Sequence, residues 1–520
     1  MNDNYFALER KQNAIRNTKW GIVEKILILL FPFVIRTCLI YKMGIDYAGL
    51  NSLFSAILSV LNIAELGISS AIIYNMYLPI AQKDKAKICA LLRVYKTAYL
   101  FIGTIILVFG LLLMPFIKFF VKGAIPNDVN LYIIYFVFLF NTVVGYLFFS
   151  YKNCILTSYQ RIDIISKVSF VINTIIYILQ IVIILCIDNY YLYVMTLPFA
   201  TILINIVNYI VVTKLFPDYK PIGKIDDITK RELKKNILGL LIGKIGSSSR
   251  NTLDSIIIST FLGLASVGIY NNYYFIITVL NGFLGIISTS IVSGVGNKII
   301  IESPETNYLD FRRLNFYYMW ISGWCLICLL NLYQPFIRIW VGESSLLPNV
   351  SMFLFCYYFL MLKQGDINSI YYQAAGLWYY GRWRSIVEAV INLILNIILG
   401  KIWGINGIIL ATIISFTLVY FYGSSITFTK YFKNKKLLIF YFDNIVYMIV
   451  PFSIGFILYY IFSYIDNNMN IYIDFLVRSL VCLIIPNVVL IIIYLFFKEK
   501  REYIFELYNF VINKIGGNKK

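Results

Sequence analysis

The sequence predicts an all-α polytopic membrane protein. About 14 transmembrane helices are expected, in two parallel-repeat six-helix lobes around a central cavity, followed by two C-terminal helices. Composition, the placement of basic residues and an internal repeat predict it. Of 520 residues, 60% are hydrophobic and 14% charged, against about 25% charged in a typical soluble domain. Mean hydropathy is +0.77. Such a chain lacks the polar surface of a soluble enzyme and the polarity of a disordered one. Apolar runs such as 131–149, LYIIYFVFLFNTVVGYLFF, are continuous, unlike the short alternating segments of a β-barrel. In hydrocarbon each backbone amide must be paired within its own element, so these runs become helices.

The expected spans cover roughly 20–42, 49–75, 92–117, 130–151, 165–187, 190–213, 236–261, 267–293, 314–336, 349–374, 385–401, 404–428, 440–463 and 473–497. Residues 1–19 are polar and basic, with no small-residue cleavage site after the first apolar run, so a retained first helix is expected rather than a cleaved signal peptide. If the N-terminus, the even-numbered loops and the C-terminal tail share one side, that side holds 35 of the 45 Lys and Arg residues. The positive-inside rule then places both termini in the cytoplasm and requires an even number of spans. The net charge of +19 therefore reports topology rather than a nucleic-acid partner.

The repeat fixes the organisation. At an ungapped offset of 219, Gly44, Gly49, Ile57 and Val60-Leu61-Asn62 coincide with Gly263, Gly268, Ile276 and Val279-Leu280-Asn281. The same offset pairs Val171-Ile172-Asn173 with Val390-Ile391-Asn392. Spans 1–6 thus correspond to 7–12, and both halves enter from the same side as parallel repeats. The expected divisions are an N-lobe over 1–213, a cytoplasmic linker over 214–235, a C-lobe over 236–429, and spans 13 and 14 with the tail over 430–520. The linker, KLFPDYKPIGKIDDITKRELKK, carries two prolines and many charges, as an exposed connection does.

Several chemistries lose support. There is no histidine, which removes His-based acid–base catalysis, Ser-His triads and His-ligated metals. Cys325 and Cys328 form a lone CxxC one turn apart inside a span, better read as packing than as a zinc or redox site. Asp226-Asp227 is not a sugar-nucleotide DxD motif. No catalytic residue and no metal site is assigned, and no cofactor beyond coupling to an H+ or Na+ gradient. The 43 tyrosines and 40 phenylalanines are assigned to lipid-facing and belt positions, and none is singled out.

Charges inside spans are the functional candidates, because each is costly at the bilayer centre. Arg250 lies near mid-depth in span 7, amid Ser247-Ser248-Ser249 and Asn251, with Asp254 at i+4 on the same helical face. The alternative is a structural Arg–Asp lock between helices. Arg36 in span 1 stands one turn after Pro32 and matches Ser255 in the repeat; it could instead snorkel to the outer interface. Lys363 and Asp366 sit at i,i+3 in span 10, either as an ion pair or as ligand contacts. Glu65 in span 2 has no evident cation nearby, which makes it a candidate proton or cation site; a helix-contact hydrogen bond is the alternative.

The stretches IRTCLIYKMGIDYAGLNSLFSAILSVLNIAELGISSAIIYNMYLPIA (35–81), LDSIIISTFLGLASVGIYNNY (253–273) and QAAGLWYYGRWRSIVEAVINLILN (373–396) resemble the polysaccharide transporter family. These are the lipid-linked oligosaccharide flippases of the multidrug/oligosaccharidyl-lipid/polysaccharide (MOP) exporter superfamily. The resemblance implies a MOP/MATE-like fold with two six-helix lobes, a V-shaped cavity and alternating access in the bacterial cytoplasmic (inner) membrane. It implies an undecaprenyl-diphosphate-linked oligosaccharide as substrate, for O-antigen, capsule or exopolysaccharide synthesis, with membrane lipids and a polymerase of the same pathway as partners. The family's cationic cavity maps onto Arg36 and Arg250, more loosely onto Lys363, with Glu65, Asp254 and Asp366 as polar or ion-coupling candidates. A multidrug/cation antiporter on the same fold would want an anionic cavity. A polysaccharide polymerase or ligase would need a sizeable outer loop, and the outer loops expected here are short.

Overall fold

The computed structural model describes residues 10–65, 68–123, 125–227, 229–231, 233, 237, 252–377, 380–433, 436–465 and 470–516. Every regular element among them is helical. Helix starts follow the local sequence. Asp84 caps α4 (Lys85–Leu113) by accepting from the Lys87 amide, Asn130 caps α5 (Leu131–Leu147), and Asn189 caps α8 (Tyr190–Leu215). Ser303, followed by Pro304 at the first helical position, starts α11 (Pro304–Val341).

The chain divides into two compact units, Met1–Asn271 with Ser385–Gly404, and Asn272–Arg384 with Ile405–Lys520. In the first, α1 (Arg10–Lys42) packs along α7 (Ile162–Val182), and α5 packs against α4 and α8. One apolar core joins Leu53, Phe54, Ile106, Ile134, Tyr135, Leu139 and Val194; a second holds Ile72, Met76, Leu91, Leu92, Ile155, Leu156 and Val212. α9 (Thr252–Leu262), the first residues of α10 (Leu264–Ile301) and most of α14 (Arg384–Trp403) also belong to this unit.

In the second unit α11 is the centre. It packs on α12 (Asn349–Gln364), α13 (Asp366–Ala374), α16 (Leu437–Ile465) and α17 (Ile471–Leu495), while α12 packs on α15 (Ile405–Lys430). Phe311 has ring contacts with Tyr371, Phe428, Phe432 and Phe440. A final helix, α18 (Lys498–Gly516), is held by ion pairs of Arg312 with Glu499, Lys500 with Asp443, and Arg313 with Glu506.

Among the described residues eight helices are long and apolar enough to cross a membrane; α5 with its bent continuation makes nine. The chain is a multi-span helical membrane protein. Three of the expected spans are interrupted. The stretch expected as one span over 49–75 is α2 (Ile45–Leu61), a 3-10 turn at Asn62–Glu65, then α3 (Ile68–Ala81). Span 4 bends by 45° between α5 and α6 (Asn153–Ser158), where Phe149 adopts φ 58°. Span 10 breaks at Gly365, between α12 and α13. The breaks in spans 4 and 10 lie near one another in the repeat without coinciding: Phe149 corresponds to Asn368, three residues past Gly365. That in span 2 has no counterpart, because α10 runs unbroken through Asn281–Leu284.

Candidate functional sites

The described candidate residues lie in four polar clusters, three in the first unit and one in the second. Arg36 projects from α1 one turn beyond Pro32. Its Nη2 donates to the Gly268 carbonyl at 3.0 Å and its Nη1 to Ser52 Oγ at 3.5 Å. The guanidinium therefore engages the start of α10 and the face of α2. The repeat places a neutral counterpart opposite: Ser255 Oγ accepts from Asn271 Nδ2 at 3.2 Å, and these two residues stand 219 positions after Arg36 and Ser52.

Asp254, on α9, is fully buried. Its Oδ2 accepts from the Tyr270 hydroxyl at 2.9 Å and its Oδ1 from Asn396 Nδ2 at 2.6 Å. Asn396 also donates to Asn392 Oδ1, one turn earlier on α14, at 3.2 Å. Three helices thus converge on one carboxylate. Arg250, expected beside it, lies outside the described residues.

Glu65 closes the 3-10 turn between α2 and α3. Its Oε1 accepts from Ser69 Oγ at 2.6 Å and from the Tyr99 hydroxyl at 3.0 Å. The Tyr95 hydroxyl lies 2.8 Å from both Ser69 Oγ and the Tyr99 hydroxyl. Three residues earlier, at the start of the same turn, Asn62 Oδ1 accepts from the Tyr146 hydroxyl at 3.2 Å. These bonds tether the break in span 2 to α4 and α5.

In the second unit Lys363, 5% exposed, closes α12 and pairs with Asp366 Oδ2 at 2.7 Å across the Gly365 break. The same oxygen accepts a short hydrogen bond from the Tyr318 hydroxyl. Lys363 and Asp366 thus form the ion pair that their i,i+3 spacing offered.

Sequence reasoning missed the tyrosines. Tyr99, Tyr270 and Tyr318 each donate to a candidate carboxylate, although no tyrosine was singled out. The signal existed: Tyr99 and Tyr318 are themselves 219 residues apart. Neutral phenols suit carboxylates in low dielectric, since they satisfy the oxygens without bringing in a second charge.

The helical fold is similar to that of solved MOP-superfamily transporters. No protein-family model matches the sequence, and no curated protein matches it. Among solved structures it is similar to the lipid II flippase MurJ in an inward closed conformation, with a TM-score of 0.66 at 16% identity over 92% of this chain and 99% of that one. It is also similar to an inward-facing multidrug resistance MATE family transporter of the MOP superfamily, with a TM-score of 0.62 at 14% identity over 81% and 99%. A MOP superfamily transporter from Pyrococcus furiosus, whose binding pocket is described as reversed in polarity, gives 0.52 at 12% identity over 81% and 96%. The likeness is one of fold.

Proposed function

We propose that this protein is a flippase of the polysaccharide transporter family. It translocates undecaprenyl-diphosphate-linked oligosaccharide repeat units from the inner to the outer leaflet of the bacterial cytoplasmic membrane by alternating access. The likeness to a lipid-linked substrate's flippase over 92% of the chain supports the reading most strongly. Its chemistry agrees. A diphosphate brings negative charge into low dielectric, and a guanidinium meets it with paired N–H donors. Arg36 is such a group, set inside a helix of the first unit beside a proline. Arg250 and Lys363 are the further candidates, each to be tested on its own. Glu65, Asp254 and Asp366 are the candidates for coupling transport to an H+ or Na+ gradient. Both termini are placed in the cytoplasm, and the product would pass to a polymerase of O-antigen, capsule or exopolysaccharide synthesis.

The test is purified protein in proteoliposomes with a labelled diphosphate-lipid oligosaccharide. Leaflet transfer without a change in product mass supports the reading; lengthened glycans would mean a polymerase. A multidrug/cation antiporter is the second reading, favoured by the fold likeness to a MATE transporter. It predicts ion-driven uptake of a cationic dye and no lipid transfer.

A further inference from the structure

The two halves build related polar hubs that differ in the origin of the carboxylate and in the presence of a cation. Adding 219 to Ser69 and Tyr99 gives Ser288 and Tyr318. In the first half Tyr99 contacts Ser69 and donates to Glu65. In the second half Tyr318 contacts Ser288 and donates to Asp366. Each hub is therefore a serine, a tyrosine and one carboxylate. The carboxylates come from different places: Glu65 from span 2, where the repeat has Leu284, and Asp366 from span 10. The second hub carries its own cation, Lys363 Nζ at 2.7 Å. At the position equivalent to Lys363 the first half has Val144, buried and apolar.

Among the described residues nothing replaces that ammonium. Glu65 makes no ion pair there; its partners are Ser69 and Tyr99, with Tyr95 behind them. The other groups facing the hub are the Tyr146 hydroxyl on α5, which bonds Asn62, and the Cys154 thiol on α6, near Tyr95. Lys96, one residue from Tyr95, lies over the Tyr151 ring instead, 5.8 Å from its centroid. A carboxylate inside a span with no fixed counter-charge is costly to keep ionised.

We propose that the Glu65 hub binds an exchangeable sodium ion, which takes the place that Lys363 fills permanently in the other half. The ligands are oxygens, as a hard cation requires: the Glu65 carboxylate and the Ser69 and Tyr99 hydroxyls, with Tyr95 behind them. The hydroxyls donate to Glu65 in the ion-free hub. Rotated about their C–O bonds they turn lone pairs towards a cation, so one cage serves both states. Because Ser69 opens α3 while Tyr99 belongs to α4, the ion would also fasten the broken segment of span 2 to span 3. This deepens the coupling role proposed above for Glu65, by naming its ion and ligands.

The test uses the full chain in nanodiscs, without lipid-linked substrate. Thermal unfolding is followed as NaCl replaces choline chloride at constant ionic strength. The wild type should gain stability saturably with sodium. Glu65→Gln should raise the sodium midpoint at least tenfold, and Ser69→Ala and Tyr99→Phe each several-fold. These two milder changes keep the test decisive if Glu65→Gln does not fold. A wild type indifferent to sodium, or responsive only to pH, would overturn the proposal. So would midpoints unchanged in the variants, since the ion would then act elsewhere. Because lipid transfer is not the readout, failure here leaves the flippase reading standing, and failure of leaflet transfer leaves this result standing.

Discussion

Gly49 and Gly268 let two helices cross where neither could carry a side chain. A Cβ on Gly49 would lie 2.8 Å from the carbonyl carbon of Leu264, and one on Gly268 would lie 2.8 Å from the carbonyl oxygen of Ile45. The glycines are 219 residues apart, and so are Ile45 and Leu264. The contact is thus reciprocal: each helix places its glycine against the first residue of the other. Both helices also follow a glycine at positive φ, Gly44 at 116° and Gly263 at 94°, a conformation that a side chain would strain. Such close backbone approach is the usual use of small residues between membrane helices.

Gly49→Ala and Gly268→Ala should each destabilise the protein by about 1–3 kcal/mol through overpacking. Once either has forced α2 and α10 apart the second costs less, so the double variant should fall short of the sum. Thermal unfolding of the two single variants and the double variant in detergent checks this. Additive losses would mean that the two sites do not share one crossing.

Replacing Asp366 by Asn leaves Lys363 buried without its carboxylate. Removing one partner of a buried ion pair costs about 3–5 kcal/mol, and the 32% exposure of the Asp366 side chain puts the expected loss at the lower end. Adding Lys363→Met should recover much of it, because the orphaned charge goes too. Unfolding midpoints of the single and double variants decide the point; a double variant less stable than Asp366→Asn would contradict it.

The C-terminal helix should loosen in acid. Hydrogen bonding and attraction from Arg312 hold the Glu499 carboxyl below its ordinary value of 4.5. A carboxylate with a lowered pKa contributes stability that is present above its ordinary value and lost as pH falls through the folded one. A spin label at Asn509→Cys should therefore be restrained at pH 7 and gain mobility below about pH 4.5. Glu499→Gln should show added mobility already at pH 7. Equal mobility at both pH values would remove the role given to this contact.

Membrane class was legible because hydrocarbon forces a compositional answer: with 60% hydrophobic residues the chain has no soluble fold to choose. The offset of 219 was also legible and paired Gly49 with Gly268 as equivalent positions, but it did not show that their helices cross there. The helix breaks were not legible. Hydropathy averages over a window, so Asn62–Glu65 is diluted by its apolar flanks, while what stabilises the turn is on other helices, in Tyr99 and Tyr146. Likewise the partners of Asp254 are 16 and 142 residues away. Local spacing offered only Arg250. Arg36 was readable as a charge within an apolar stretch, but its acceptor, the Gly268 carbonyl, is a backbone atom that no residue type announces.

The most direct measurement is the rate at which a labelled undecaprenyl-diphosphate oligosaccharide reaches the opposite leaflet of proteoliposomes, for wild type, Arg36→Ala and Arg36→Lys. Loss of a charge-assisted pair in low dielectric costs about 2–5 kcal/mol, so Arg36→Ala should slow transfer about 30-fold or more at equal reconstitution, with Arg36→Lys between the two. Wild-type vesicles no faster than protein-free ones, or Arg36→Ala as fast as wild type, would contradict the account.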